Sequence, residues 1–473
     1  MVRIEPFAPG GADAFAACAR ALCRRPHVFL RIAHGGPLDA PSWSFAASDP
    51  VEILSEETRR GRRFDPFGEL ARRWSGPATA PPAIEVVDLD ATPASRARPA
   101  PIPFQGGFAG YIGYEARSAV ERTPPRRLAH DGLPACWLGR YDAVLARDAV
   151  SRRTYLCGVG PTIPDAAEAV VRLLRRIDLG LGSNPRRPPT DPRPRTPRVH
   201  VRGTLTPADY RGLVGEVRAR IGRGDLFQAN VSQRFEGRFA GAGPELFDRL
   251  IAASPTPYAT YVDLGRGRAV LSTSPERFLA RTGDVLETRP MKGTRRRGAT
   301  PAEDRALARD LERSEKDRAE LAMIVDLARN DLARSCRPGS VRVVTPRRLE
   351  RYATVHQAVG VVTGRLRDDV HPAEAVRRAF PPGSVTGAPK VEAMRVIDAL
   401  EREARGPYCG AIGWFDERGD FDLAVAIRTA WLARGRVTYR VGGGVTWLSD
   451  PEAERVETLH KGVAIARALG GER

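Results

Sequence analysis

YCGAIGWFDERGDFDLAVAIRTAWLARGRVTYRVGGGV, from Tyr408 to Val445, is the stretch whose reading decides the fold. It holds three strand candidates in succession: YCGAIGWF from Tyr408, DLAVAIRTAWL from Asp422 and VTYRVGGGV from Val437. Each is rich in apolar, β-branched or aromatic residues, the composition of a buried strand. Two more lie upstream, AVLSTSPERFLA from Ala269 and DVLETRP from Asp284. Helices are expected at Thr206–Ile221, Pro301–Ser335, Ala388–Arg405 and Asp450–Leu469. Strand runs broken by helices without βαβ regularity predict an α+β fold with largely antiparallel sheets.

Further toward the N-terminus, HVFLRIA from His27 and TYLCGV from Thr154 read as strands, and GGFAGYIGYE (Gly106 to Glu115) as a glycine-rich strand and turn. Residues 183–198 are too rich in proline and arginine for helix or sheet and read as a linker or excursion. The chain therefore divides into an N-terminal region, 1–182, contributing to the core, the linker, and a C-terminal region, 199–473.

Composition excludes several classes. Hydrophobic residues make up 42% and charged residues 28% of the 473, and no run approaches the roughly 18 apolar residues of a membrane span. Met1 to Glu5 lack the basic-then-apolar pattern of a secretory signal, so a cytoplasmic protein is expected, with no membrane partner. Six scattered cysteines without metal-type spacing read as reduced packing thiols. The net charge of +18 comes from arginine, 71 of the 75 basic residues, spread along the chain rather than gathered into a stripe. With no zinc or RNA-reading motif beside it, this points to a coding bias and not to a nucleic-acid partner. Against such a bias the four lysines, Lys292, Lys316, Lys390 and Lys461, stand out, because arginine cannot serve as a free amine.

Two carboxylate pairs carry the chemistry. Asp317 and Glu320 are three apart in KDRAELAMIVDLARNDL, on one helical stripe with Ile324 and Leu327. Asp450 and Pro451 open the last helix, where Glu454, Glu457, Lys461, Ala464 and Ala468 form a second stripe. Taken alone, either pair also reads as a solvated helix face. Facing inward, the acids need a partner, and a shared hard cation such as magnesium is one.

These pairs stand among longer motifs in a fixed order: GDLFQANVSQRF (Gly224 to Phe235), SPERF (Ser274 to Phe278), RPMKGTRRRG (Arg289 to Gly298), GSVTGAPK (Gly383 to Lys390), AIRTA around Arg428, GGGV (Gly442 to Val445) and ExxETxxK ending at Lys461. With them the chain resembles the chorismate-utilising enzymes, the family of anthranilate, aminodeoxychorismate and isochorismate synthases. The resemblance implies two large antiparallel sheets packed face to face with helices outside, the site lying between them. It implies that Glu320 and Glu457 contact magnesium directly, Asp317 and Glu454 through water, and that the metal holds the ring carboxylate of chorismate. Tyr408, Arg428, Lys461, Ser384, Gln228 and the amides near Gly443 and Gly444 match substrate-binding positions. Asp317 departs from the glutamate also found at its position.

Two positions separate the reactions of this family. The resemblance places lysine at the position of Gln228 in members that add water, and an uncharged residue in members that add ammonia, which is already nucleophilic. Lys292 matches the nucleophile of the aminodeoxychorismate synthase branch, where anthranilate and isochorismate synthases have alanine; Arg289, Arg295 and Arg296 flank it as cations able to lower its pKa. Glu276 of SPERF matches the general acid and base. Gln357 takes the place of a histidine associated with pyruvate elimination, and His356, one residue early, is expected on the other face of its strand. The expectation is a transferase that converts chorismate to 4-amino-4-deoxychorismate with ammonia from a separate glutamine amidotransferase subunit, with anthranilate synthase component I as the alternative.

Overall fold

The computed structural model describes residues 12–33, 42–58, 64–74, 82–90, 101–121, 131–182 and 198–471. Residues 183–197 of the expected linker lie outside these.

Two sheets dominate, one of twelve strands and one of ten, and their strand pairs are antiparallel. The larger runs through strands 387–388, Gln228–Arg238, Arg436–Val445, Thr429–Ala433, Arg268–Ser274, Tyr258–Gly265, Phe29–Ile32, Trp43–Ala47, Ala143–Asp148, Thr154–Gly160 and Ala83–Asp88, with 202–203 beside Gln228–Arg238. The smaller runs through Met291–Arg296, Val355–Arg365, Val285–Thr288, Arg277–Thr282, Phe421–Val425, Ala411–Asp416, Gly107–Ile112, Cys136–Tyr141 and Glu52–Ser55, with Arg342–Arg351 on the other side of Val355–Arg365. Strands from both sides of the linker thus share both sheets.

The period of two sorts side chains between the faces. Phe29, Phe45, Val262 and Val270 of the larger sheet enter one core with Phe108, Leu423 and Trp414 of the smaller. Their neighbours Leu30, Ala46, Tyr261 and Leu271 enter a second core on the outer face. There they meet Phe15, Leu173, Phe247 and Ile465 of helices Ala12–Leu22, Ile163–Gly182, Gly243–Ala253 and Pro451–Ala468. Across the inner core Phe45 meets Trp414 edge to face at 6.0 Å. The sheets therefore pack face to face, with helices outside.

Helix ends follow local chemistry. Thr206 and Asp209 form a capping box at the start of helix Pro207–Gly222. Where one helix was expected over 301–335 there are two, Pro301–Arg313 and Glu315–Ala333. Ser314 breaks them with an extended backbone (ψ 108°), and its hydroxyl accepts from the Asp317 amide to cap the second. No helix among the described residues is long and apolar enough to cross a membrane. The six cysteines are free thiols, and burial raises the pKa of each.

A buried ion cluster ties the two sheets. Arg31, on Phe29–Ile32 of the larger sheet, reaches Asp422, on Phe421–Val425 of the smaller, at 2.9 Å, and also donates to the Asp422 carbonyl. Arg277 takes the other carboxylate oxygen at 3.2 Å, and both guanidiniums lie over the Tyr258 ring. Removing one partner of such a group leaves an uncompensated buried charge, at a cost of about 3–5 kcal/mol. Asp422→Ala should lower unfolding stability by about that amount in urea titration; a change under about 0.5 kcal/mol, the usual surface value, would contradict the clamp.

Candidate functional site

The site grows from two places where the chain changes sheet. The stretch expected as one strand from Ala269 is two: Arg268–Ser274 in the larger sheet and Arg277–Thr282 in the smaller, turned at Pro275. The stretch from Asp422 is likewise two, Phe421–Val425 in the smaller sheet and Thr429–Ala433 in the larger. The crossings are hydrogen-bonded to each other: the Thr273 amide donates to the Arg428 carbonyl at 3.1 Å and the Val425 amide to the Glu276 carbonyl at 3.0 Å. Glu276 and Arg428 are thereby neighbours. Arg428 holds a left-handed backbone (φ 49°), a conformation that costs a non-glycine residue about 1 kcal/mol or more and is enriched at functional sites. Its guanidinium donates no hydrogen bond among the described residues.

Glu276 is 4% exposed. Burial pushes its carboxyl up to about 7, against the Ser384 hydroxyl, Lys292, the Met291 amide and Arg428, all of which favour the ionised form. Ser384, expected on the substrate, therefore faces Glu276.

Lys292 is the second residue of the edge strand Met291–Arg296 of the smaller sheet, within the bulge between Met291 and Thr294, and faces the GGGV end of the larger. A Cβ built on Gly444 would stand 2.5 Å from Gln228 Nε2 and 3.1 Å from Lys292 Nζ, so only glycine leaves these groups room. Lys292 forms no hydrogen bond or close ion pair among the described residues. Burial lowers its pKa, with Lys461 the cation that adds to the effect, while Glu320, Glu276 and Glu457 oppose it. The flanking arginines are engaged elsewhere: Arg289 with Glu287, Arg295 with Asp310 and Asp317, and Arg296 with Glu303.

Gln228 is 0% exposed, and among the described residues neither its Oε1 nor its Nε2 has a hydrogen-bond partner. A buried amide left unpaired costs about 1–3 kcal/mol, a cost that a polar group set beside it relieves. Asn230, two residues along and on the same face, repeats the pattern with an unpartnered Oδ1. A Cβ on Gly442 would lie 2.8 Å from that oxygen and 2.9 Å from the Tyr408 hydroxyl. Asn230 was missed in the sequence, although the spacing of Gln228, Asn230 and Ser232 in QANVSQRF was the available signal.

The N-terminal region helps to hold Tyr408. Glu115 of GGFAGYIGYE accepts from the amides of Arg405 and Gly406, and the Arg405 guanidinium stacks 4.7 Å over Tyr114. Arg405 also joins Glu401, Arg440 and Ser232 in a buried network.

The acids approach from two helices. A Cβ on Gly443 would lie 2.9 Å from Glu454 Oε2 and 4.0 Å from Lys461 Nζ, which places the last helix over the GGGV strand. The inward stripe of that helix is Glu454, Thr458, Gly462, Ile465 and Ala468. Glu457 and Lys461 flank it and pair at 2.8 Å, while Lys461 also donates to the Gly442 carbonyl at 3.1 Å. Glu454 accepts from Ser449, Asp317 pairs with Arg295 at 3.2 Å, and Glu320 has Lys316 at 3.9 Å. Burial raises the Glu320 pKa against the pull of Lys292 and Lys316, and Asp317 and Glu454 add to the rise, so carboxylates of both helices act on one another. Burial also opposes ionisation of Glu457, but Lys461, Lys316 and Lys292 outweigh it and hold its pKa low. Among the described residues no three acidic, histidine or cysteine side chains close into one ligand group. The four carboxylates are hard oxygen donors, the ligand type magnesium takes, and Glu320 and Glu454 lie within electrostatic reach of each other across the two helices.

His356 and Gln357 part to opposite faces of Val355–Arg365. His356 Nε2 meets Asp304 at 2.9 Å, whereas Gln357 donates to Thr294 Oγ1 at 3.2 Å.

Comparison with known proteins agrees with this architecture. The family described as chorismate binding enzyme matches residues 54–467. Anthranilate synthase component 1 of Streptomyces coelicolor is 38% identical over 78% of this chain and 73% of its own. Aminodeoxychorismate synthase of Streptomyces griseus is 41% identical over 78% of this chain, which spans about half, 51%, of that relative's length. In structure the chain is similar to anthranilate synthase component I from Streptococcus pneumoniae, with a TM-score of 0.73 and 27% identity over 90% of this chain and 92% of that one. The chain belongs to the chorismate binding enzyme family.

Proposed function

We propose that the chain converts chorismate to 4-amino-4-deoxychorismate, with ammonia supplied by a separate glutamine amidotransferase subunit. The observation that carries this reading is the half-buried amine of Lys292, free of ion pairs among the described residues, beside Gln228 and within electrostatic reach of Glu276. A glutamine cannot activate water at neutral pH, whereas ammonia needs no base.

Arg428, Tyr408, Lys461 and the amides of Gly443 and Gly444 would hold the carboxylates of chorismate, and Gln228 and Asn230 would supply polar contacts that are unpaired in the free protein. Glu320 and Glu457 would hold magnesium directly, Asp317 and Glu454 through water; the ion supplies positive charge for the ring carboxylate.

The neutral amine of Lys292 attacks C2 while the C4–O bond breaks, and Glu276 gives its proton to the departing hydroxyl, releasing water. Ammonia then attacks C4, the C2–N bond breaks, and Lys292 leaves as the amine. Glu276 takes the surplus proton from the new C4 ammonium and is ready to act again. Two displacements restore the original face at C4. The product keeps its pyruvyl group, in keeping with Gln357 where a base would otherwise stand. The alternative, anthranilate synthase component I, draws on the relatives of that name but gives Lys292 no task.

Lys292→Arg should lose most of its turnover with chorismate and ammonium, since a guanidinium stays charged. Intact enzyme mixed with chorismate without ammonia should show an adduct on the Lys292 peptide by mass spectrometry. Where Lys292 titrates above Glu276, adduct formation should rise with pH to a plateau beginning near pH 7, the value set by Glu276. An active arginine variant with no adduct on the wild-type enzyme would make Lys292 a structural charge.

Glu320→Ala and Glu457→Ala should each abolish magnesium-dependent protection of the protein by chorismate in thermal melts while leaving the unliganded melting temperature within a few degrees. Normal protection in either variant would remove that residue from the metal's ligands.

A further inference from the structure

Glu276 has a second polar neighbourhood that the reaction above does not use. A cavity of about 30 Å³ lies between helix Glu315–Ala333, the turn at 379–384 and the strand beginning at Arg277, and Glu276, Thr288, Asp331 and Ser384 bring polar groups to its wall. That volume and those partners suffice for a bound water. Asp331 is buried on the helix and receives Lys390 at 2.8 Å; Lys390 also donates to the Ala379 carbonyl at 2.8 Å. One ammonium thus ties the helix to Ala379, where the turn begins, and to the start of helix Lys390–Leu400 that follows it. Gly383 is pressed against the helix so closely that a Cβ would stand 2.5 Å from Leu327 and 3.7 Å from Asp331 Oδ2. The next residue is Ser384, whose hydroxyl meets Glu276.

Lys292 and the Met291 amide face Glu276 from the edge strand, Arg428 from the crossing, Ser384 from the turn, and Asp331 with Lys390 across the cavity. Arg277 also lines the cavity, with its guanidinium held by Glu287 and Asp422.

We propose that the Asp331–Lys390 pair positions Glu276 for proton transfer: it pins the turn that sets Ser384 against the carboxyl and supplies a balanced pair of charges across a water-sized cavity. The pair touches no reacting atom, and the inference rests on Glu276 being the general acid and base. A pair that only held the turn would lower stability without a signed electrostatic effect. A pair that also sets the field at Glu276 has one, because removing either member leaves the other's charge uncompensated.

The test reads the midpoint of the limb near pH 7 in the pH profile of Lys292 adduct formation. Asp331→Asn leaves Lys390 unbalanced, favours ionised Glu276 and should move the limb down by about half a pH unit. Lys390→Gln leaves Asp331 unbalanced and should move it up. Lys390→Arg, which keeps the cation, should hold the limb closer to the wild-type position than Lys390→Gln does. Folded variants whose limbs stay put or shift in the same direction would overturn the proposal, as would failure of both Asp331→Asn and Lys390→Gln to fold, which would make the pair structural only. Glu276→Gln separates this from the parent reading: turnover should drop about a hundredfold if Glu276 is the acid and base, and undiminished turnover would remove that role whatever the pair does.

Discussion

Everything at the site depends on two adjacent strand crossings that are hydrogen-bonded to each other. At Ser274–Glu276 and at Ala426–Arg428 the chain leaves one sheet for the other, and the bonds between Thr273 and Arg428 and between Val425 and Glu276 allow neither crossing to move alone. A corner between sheets is one of the few places where a polar side chain can be buried without entering a ladder face. Glu276 and Arg428 occupy that corner, and the Arg31–Asp422–Arg277 cluster fixes the sheets to each other next to it. Lys292 arrives from an edge strand of the smaller sheet and Gly444 from the larger, so the cradle they form requires this docking.

Much of this was legible in the sequence because burial imposes a composition. Apolar, β-branched and aromatic runs marked the strands between Tyr408 and Val445, and Asp450 with Pro451 marked the start of the last helix. The crossings were not legible. AVLSTSPERFLA and DLAVAIRTAWL read as single strands because apolar residues stand on both sides of each corner, and the pairing of the two halves with different sheets leaves no mark in the pattern. Ser314 also escaped notice, because one serine inside a charged stretch is an ordinary helix residue until its neighbours turn.

The site was legible in kind more than in arrangement. Glu454 lies on the inward stripe, but Glu457 sits at its flank, where side-chain length decides what it reaches and helical spacing alone does not. For Lys292 the sequence offered nearby arginines as the source of a lowered pKa. Those arginines have carboxylate partners of their own, and burial with Lys461 takes their place. The scarcity of lysine proved informative in an unexpected way: Lys390 places a compact ammonium between a buried carboxylate and a backbone carbonyl, a slot that suits it better than a planar guanidinium.

The central claim is that this arrangement aminates C4 and stops there. The most direct test is to identify the product from chorismate, magnesium and an ammonium salt with the purified chain. The account predicts 4-amino-4-deoxychorismate with no release of pyruvate, and conversion to p-aminobenzoate only when a separate lyase is added. Anthranilate and an equivalent of pyruvate would contradict it.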